Sequence, residues 1–231
     1  MMRGLVMAAA ALLVSLAVEA RSDLVTVASF DDILFWTGSG TNEAALVLQF
    51  PTATAGGTAA PAAIAWGYRW NGSATMADMV LALSGSITIA GDPGPVAGAD
   101  PRLAIDVADY GVPPATDYFL DSITYSQAGL PAGWSQGTRE MPGWDGTNWN
   151  VLYTLAGNGS WTGDPFAVSN VGMSSIVMGD GDWYGFVHAD GPAEFTFAQP
   201  VSAVPEPATW TMLAGAAGAA IVAARRRARR A

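Results

Sequence analysis

The feature that most limits the fold of this chain is its punctuation. Short apolar, β-branched and aromatic runs alternate with Gly, Pro, Asn and Asp clusters at intervals of roughly ten residues, the habit of a β-sandwich or barrel. The runs that read as strands are Leu24 to Ala28, Ala44 to Phe50, Ala62 to Trp70, Ser86 to Ala90, Leu103 to Ala108, Phe119 to Tyr125, Asn150 to Leu155, Ser174 to Met178, Trp183 to Ala189 and Glu194 to Phe197. Between them stand Gly56-Gly57, Gly91-Asp92-Pro93-Gly94-Pro95, Pro113-Pro114, Pro142-Gly143-Trp144-Asp145-Gly146, Gly157-Asn158-Gly159 and Gly179-Asp180-Gly181. Proline cannot donate to a ladder and glycine weakens the interior of any element, so each cluster ends a run.

One segment departs from this rhythm. In Ala74 to Leu83 the residues Met76, Met79, Val80 and Leu83 fall at helical spacing, and Ser73 or Thr75 can cap the start. The stretches Pro51 to Ala63 and Gly91 to Pro101 read as loops with no packing face. No repeat at a fixed period and no long linker divides the chain, so residues 21–203 read as one all-β domain, sandwich- or jelly-roll-like, with one short helix.

Composition narrows the partners. Outside its ends the chain keeps Arg21, Arg69, Arg102 and Arg139 against eighteen acids, which leaves −14 where the whole chain carries −10. Nucleic acid is thereby disfavoured, because its phosphates need Lys and Arg, and the chain has no lysine. Zero cysteines exclude disulfides, a thiolate nucleophile and a thiolate metal site. The fold must stand on its core, and a body of this size can bury about 70% of its unfolded surface.

The two ends are built differently from the body. Arg3, the apolar Val6 to Ala17 and the small-x-small Val18-Glu19-Ala20 form a signal-peptide pattern, read as a signal helix in residues 1–20 cleaved before Arg21. At the other end Val204-Pro205-Glu206-Pro207 leads into an apolar run from Trp210 to Ala224, followed by Arg225, Arg226, Arg227, Arg229 and Arg230. A spanning helix needs about 20 apolar residues, or about 17 at the least. Ala208 to Ala224 reaches that lower limit only with Thr209 and Thr211 included, and Ala214 to Ala220 is all Ala and Gly. A hydrophobic helix here is a weak anchor. The arginines act as a membrane stop that keeps the basic end cytoplasmic and the body outside.

The order of motif, hydrophobic helix and terminal arginines over Ala203 to Arg230 resembles the PEP-CTERM sorting domain. The resemblance implies a Gram-negative exported protein, recognition of Val204, Pro205, Glu206 and Pro207 by an exosortase-like enzyme, transient insertion in the inner membrane and removal of the tail. It also implies a place at the cell surface or in an exopolysaccharide biofilm matrix. Within the body, Ala44 to Phe50, Ala65 to Trp70 and the methionine helix resemble uncharacterised secreted β-rich bacterial proteins, and no activity follows from that.

Four tryptophans are candidates for ligand binding. Trp134, Trp144, Trp149 and Trp161 sit in turn-rich sequence with Asp, Asn and Gln neighbours, a mixture that suits neutral polysaccharide and equally suits rings plugging the ends of a sandwich. Trp66, Tyr68 and Trp70 alternate and share one strand face, either as a stacking platform or, on the usual burial of Trp, as core. Asp180-Gly181-Asp182 resembles half of a calcium loop, the one cofactor left open, although too few acids follow for the 6–8 oxygens calcium takes and a hairpin turn suffices. Asp106 with Asp109, or Asp117 with Asp121, could pair as in a glycan hydrolase, the alternative function. His188 is the single histidine and no Gly-x-Ser-x-Gly elbow accompanies it. The expectation is an exported, non-enzymatic surface module with its sorting tail in residues 204–231.

Overall fold

The computed structural model describes residues 24–51, 62–89, 92–94, 100–110, 117–127, 130, 137–143 and 145–204. They lie in one compact unit, Asp23–Val204, and residues 1–22 and 205–231 fall outside them. The signal helix and the C-terminal hydrophobic helix expected from the sequence therefore lie outside the described residues. Among the described residues no helix is long and apolar enough to cross a membrane.

The described chain is mostly β, in two sheets, with one α-helix. Its strands are β1 (Trp36–Gly38), β2 (Asn42–Gln49), β3 (Ala63–Trp70), β4 (Ser84–Ile89), β5 (Asp92–Gly94), β6 (Asp100–Asp109), β7 (Tyr118–Ser126), β8 (Thr138–Met141), β9 (Trp149–Leu155), β10 (Phe166–Val168), β11 (Trp183–Ala189), β12 (Glu194–Phe195) and β13 (Val201–Ser202). The larger sheet runs β1-β3-β2-β11-β9-β10-β12, with β13 also on β3, and the smaller runs β5-β4-β6-β7-β8. Both are mixed: β2 pairs antiparallel with β3 and parallel with β11, and β6 pairs parallel with β4 and antiparallel with β7.

Alternation on the strands places two apolar layers. Leu46, Leu48, Ile64, Trp66, Tyr184 and Phe186 of the larger sheet share one buried cluster with Leu103, Ile105, Val107, Ile123 and Tyr125 of the smaller. Trp66 meets Tyr125 edge-on there, at 5.2 Å between centroids. Trp66 and Trp70 are buried, so this aromatic face is core rather than a sugar platform. The opposite face of the larger sheet carries small residues, Ala45, Ala63 and Ala65 among them, under a second cluster of rings that includes Phe30, Tyr153, Phe166, Trp183 and Phe197. Larger rings fit over small residues because a close-packed interior leaves no voids.

The helix, α1 (Met76–Leu83), is bounded as its residues require. Thr75 Oγ1 accepts the Asp78 N–H at 3.3 Å while Asp78 Oδ2 accepts the Thr75 N–H at 2.7 Å, a reciprocal capping box. Met76, Met79, Val80 and Leu83 are buried.

Two of the expected strands do not form. Ser174 to Met178 is turn and irregular chain because it and the residue before it serve α1: Met173 O accepts from Ala77 N–H at 3.1 Å and Ile176 O from Met76 N–H at 2.9 Å. These carbonyls satisfy donors that a helix N-terminus otherwise leaves unpaired. Leu24 to Ala28 makes only single bridges, its bonds going to Pro200, Ser202 and Trp161. The strand expected over Glu194 to Phe197 stops at Phe195, and β1, β8, β10 and β13 are too short to carry an alternation signal.

Candidate functional site

Among the described residues, large exposed aromatics gather in one place. Phe119 on β7 and Trp149 at the start of β9 are 45% and 42% exposed, and Tyr110 stands edge-on to Phe119 at 5.4 Å. Phe119 and Trp149 line an open groove of about 320 Å³ together with Asn150, Ser169, Asn170 and Val171. That volume is at the low end of the roughly 300–1,000 Å³ usual for small-molecule sites. The groove takes one wall from each sheet, since β7 belongs to the smaller and β9 to the larger.

A register shift explains why Phe119 faces out. In β7 the residues Tyr125 and Ile123 are buried, so plain alternation would also bury Asp121 and Phe119. Against β6, however, Asp106 pairs with Ser122 and Val107 with Leu120, leaving Asp121 as the extra residue of a β-bulge. Beyond the bulge the phase inverts, Leu120 turns inward and Phe119 outward.

Polar groups fix the walls. Asn150 Nδ2 donates to Asp121 O at 2.6 Å and to Pro142 O at 3.2 Å, tying β9 to the bulge across the two sheets. Tyr118 N–H donates to Ser174 Oγ at 2.9 Å, and the Ser169 hydroxyl donates to Val171 O at 2.8 Å. Trp149 lies against Gly191, where a Cβ would come within 2.8 Å of its ring. Asp117 Oδ1, shut away beside Gly172, has no hydrogen-bond donor among the described residues.

The loop that leads into Trp149 is held by a carboxylate. Asp145 Oδ1 accepts the N–H groups of Thr147 and Asn148, at 2.9 and 2.7 Å, and Oδ2 faces His188 Nε2 at 3.1 Å. The Asn148 hydrogen bonds, then those of Thr147 and His188, hold the Asp145 carboxyl well below the usual carboxylate range. From β11, opposite Asn150, His188 fastens the loop before Trp149.

The other sequence candidates fall in different places. Trp161 is half-buried and packed into the second ring cluster, 5.1 Å from Trp183 and 5.7 Å from Phe166. Trp134 and Trp144 lie outside the described residues, as do Pro205, Glu206, Pro207 and the five terminal arginines. Of the two candidate tryptophans among the described residues, Trp149 is brought to the groove and Trp161 is not. Sequence reasoning missed Phe119, Tyr110 and Val171, the only available signal being Asp121 at an inward phase of its strand.

Four of the candidate carboxylates, Asp180, Asp182, Asp106 and Asp109, accept hydrogen bonds within the fold. Asp182 accepts from Gly157 N–H and Gly179 N–H, at 3.1 and 3.2 Å, and from the Tyr184 hydroxyl at 3.2 Å, while Asp180 Oδ1 accepts from Glu43 N–H at 2.8 Å. Gly181 takes φ +85°, so Asp180-Gly181-Asp182 is a turn, though no strand precedes it to make a hairpin. Among the described residues no three His, Asp or Glu side chains converge as metal ligands. Asp106 Oδ2 accepts from the Ser122 hydroxyl at 2.6 Å, and Asp109 Oδ1 from Asp117 N–H at 3.0 Å.

In comparison with known protein families, residues 203–227 match the PEP-CTERM protein-sorting motif. This is an exosortase-type sorting signal, carried by exported proteins that the membrane holds transiently before cleavage, and it lies at the C-terminal end. No curated protein and no solved structure matches the chain.

Proposed function

We propose that residues 21–203 form a non-catalytic, sandwich-like domain of jelly-roll type that binds neutral polysaccharide in the extracellular matrix through the groove between Phe119 and Trp149. The signal in residues 1–20 exports it, and the tail in residues 204–231 delivers it to an exosortase-like enzyme at the inner membrane. No cofactor is needed for this role. The carrying observation is the pair of exposed rings, one from each sheet, on an open groove with Asn150, Asn170 and Ser169. Aromatic faces take the C–H side of sugar rings, and amide and hydroxyl groups take their hydroxyls. Among the described residues no arginine lines the groove, and the body is acidic, which favours an uncharged polymer over an anionic one.

The domain should be retarded in native gels that contain the exopolysaccharide of its host. Trp149→Ala or Phe119→Ala should weaken that binding by at least about tenfold, or 1.4 kcal/mol. Full retardation in both variants, or none in the unaltered protein with any matrix polymer, would overturn the reading.

A second reading, a structural spacer of the matrix, is favoured by how much aromatic surface the fold itself uses. Trp66, Trp70 and Trp183 are buried and Trp161 is packed between rings. Under it no polysaccharide seats on Phe119 and Trp149, and added polymer leaves iodide quenching of tryptophan fluorescence unchanged.

A further inference from the structure

The sorting motif follows the folded body without a spacer. β13 (Val201–Ser202) lies parallel to β3, with Val201 opposite Ile64 and Ser202 opposite Ala65. Ser202 N–H donates to Val25 O and Ala203 N–H to Ala65 O, both at 2.8 Å. The Ser202 hydroxyl oxygen accepts the Leu34 N–H at 2.7 Å, and Ala203 is fully buried. The guanidinium of Arg102 then donates to the carbonyl of Val204. Arg102 is itself fixed by Asp100, at 2.9 Å, with side-chain exposures of 9% and 0%. Asp100 Oδ2 in turn accepts the indole N–H of Trp66 at 3.0 Å. The next residue is Pro205, the first of Pro205-Glu206-Pro207.

A processing enzyme takes its substrate as an extended strand, and backbone already paired in a fold is closed to it until that pairing opens. We infer that the body sets the N-terminal limit of tail processing: no bond before Val204–Pro205 is cut, the mature protein keeps Val201 to Val204, and the Arg102 clamp slows access to the motif. The cut itself breaks one amide C–N bond. Its acyl carbon passes finally to the oxygen of water, and the basic tail leaves as the amine with a proton gained. Arg102 does not touch that chemistry and acts as a positioning residue. The inference stands apart from polysaccharide binding, since it rests on β13 and on the sorting tail.

The test uses the full chain in cells that make the sorting enzyme. Intact-mass measurement of the mature protein should give a C-terminal residue at Val204 or later. A terminus at Ala203 or before, or a mature protein with its tail intact, overturns the limit. In pulse-chase, a short Gly-Ser insertion between Val204 and Pro205 should shorten the lifetime of the uncut form by at least about twofold, because cleavage tracks the population of opened backbone. Arg102→Gln should act in the same direction. That substitution also strips Asp100 of its partner and can impair folding, so the insertion, which alters no core residue, decides. Unchanged or slower cutting with the insertion overturns the clamp.

Discussion

Two residues show how tightly the larger sheet is covered on both faces. Gly67 in β3 has no side chain because the ring of Trp36 occupies its place: a Cβ there would lie 2.3 Å from the indole. Trp36 cannot swing away, since its indole N–H donates to Ile33 O at 2.8 Å and the Arg69 guanidinium sits over the ring at 4.3 Å. Gly67→Ala should therefore destabilise the protein by about 1–3 kcal/mol, the usual cost of overpacking, as a lower urea midpoint with unchanged slope. On the inner face, Trp66 gives its N–H to the buried Asp100. Trp66→Phe keeps most of the ring but leaves a carboxylate oxygen without its donor, at a cost of about 1–3 kcal/mol in the same measurement. A glycine between Trp66 and Tyr68 is plain in the sequence, but the ring that takes the place of its side chain is not, because Trp36 arrives on a three-residue strand.

Among the elements, the bulge in β7 and the turn before β11 carry the most consequence. The bulge exports Phe119, and a strand read by strict alternation hides that residue. In the turn, Tyr184 donates to Asp182 Oδ2 and accepts the Gly179 N–H at 3.1 Å. Burial first, and the Asp182 carboxylate after it, push the Tyr184 phenol from 10.0 up to about 12. A group whose folded pKa is raised contributes stability in full below its unfolded value and loses it as pH climbs to the folded one. The thermal midpoint should consequently fall between about pH 10 and pH 12, and Tyr184→Phe should make that fall shallower. Equal slopes in the two proteins would remove Tyr184 from the account. Tyr125, also buried and beside Asp100, is pushed up as well, so some alkaline slope should persist in the variant.

At the scale of the whole molecule, the body is closed by its own ends. Thr26 bridges Val201, Val27 N–H donates to Pro200 O at 2.9 Å, and β13 completes an edge of β3. These contacts join residues about as far apart in sequence as the body allows, so they close late and at the greatest loop entropy. A chain ending after Val204 should melt cooperatively, whereas one ending after Gln199 should lose β13, uncover Ile64 and Ala65, and melt at a clearly lower temperature by circular dichroism. Matching melts for the two would show that the closing strand contributes nothing. The groove depends on the same long-range order, because its walls come from different sheets joined by Asn150.

Local chemistry was readable from the sequence alone. Gly179-Asp180-Gly181 marked a turn, although the loop expected over Gly91 to Pro101 holds β5 at Asp92–Gly94 and the start of β6; β11 ran over Trp183–Ala189 as its apolar run predicts, and the methionine spacing with Thr75 ahead of it gave α1. The sorting tail was equally plain, since a receptor reads it as a linear signal. Tertiary structure decided what period and propensity leave open: that Ser174 to Met178 serves a helix end rather than a ladder, that Trp161 turns into a ring cluster while Trp149 turns to a groove, and that a single extra residue at Asp121 brings Phe119 beside it. The reason is physical. A strand's two faces and a turn's residues are set over a few neighbours, whereas burial and register depend on partners that the chain delivers from far along its length.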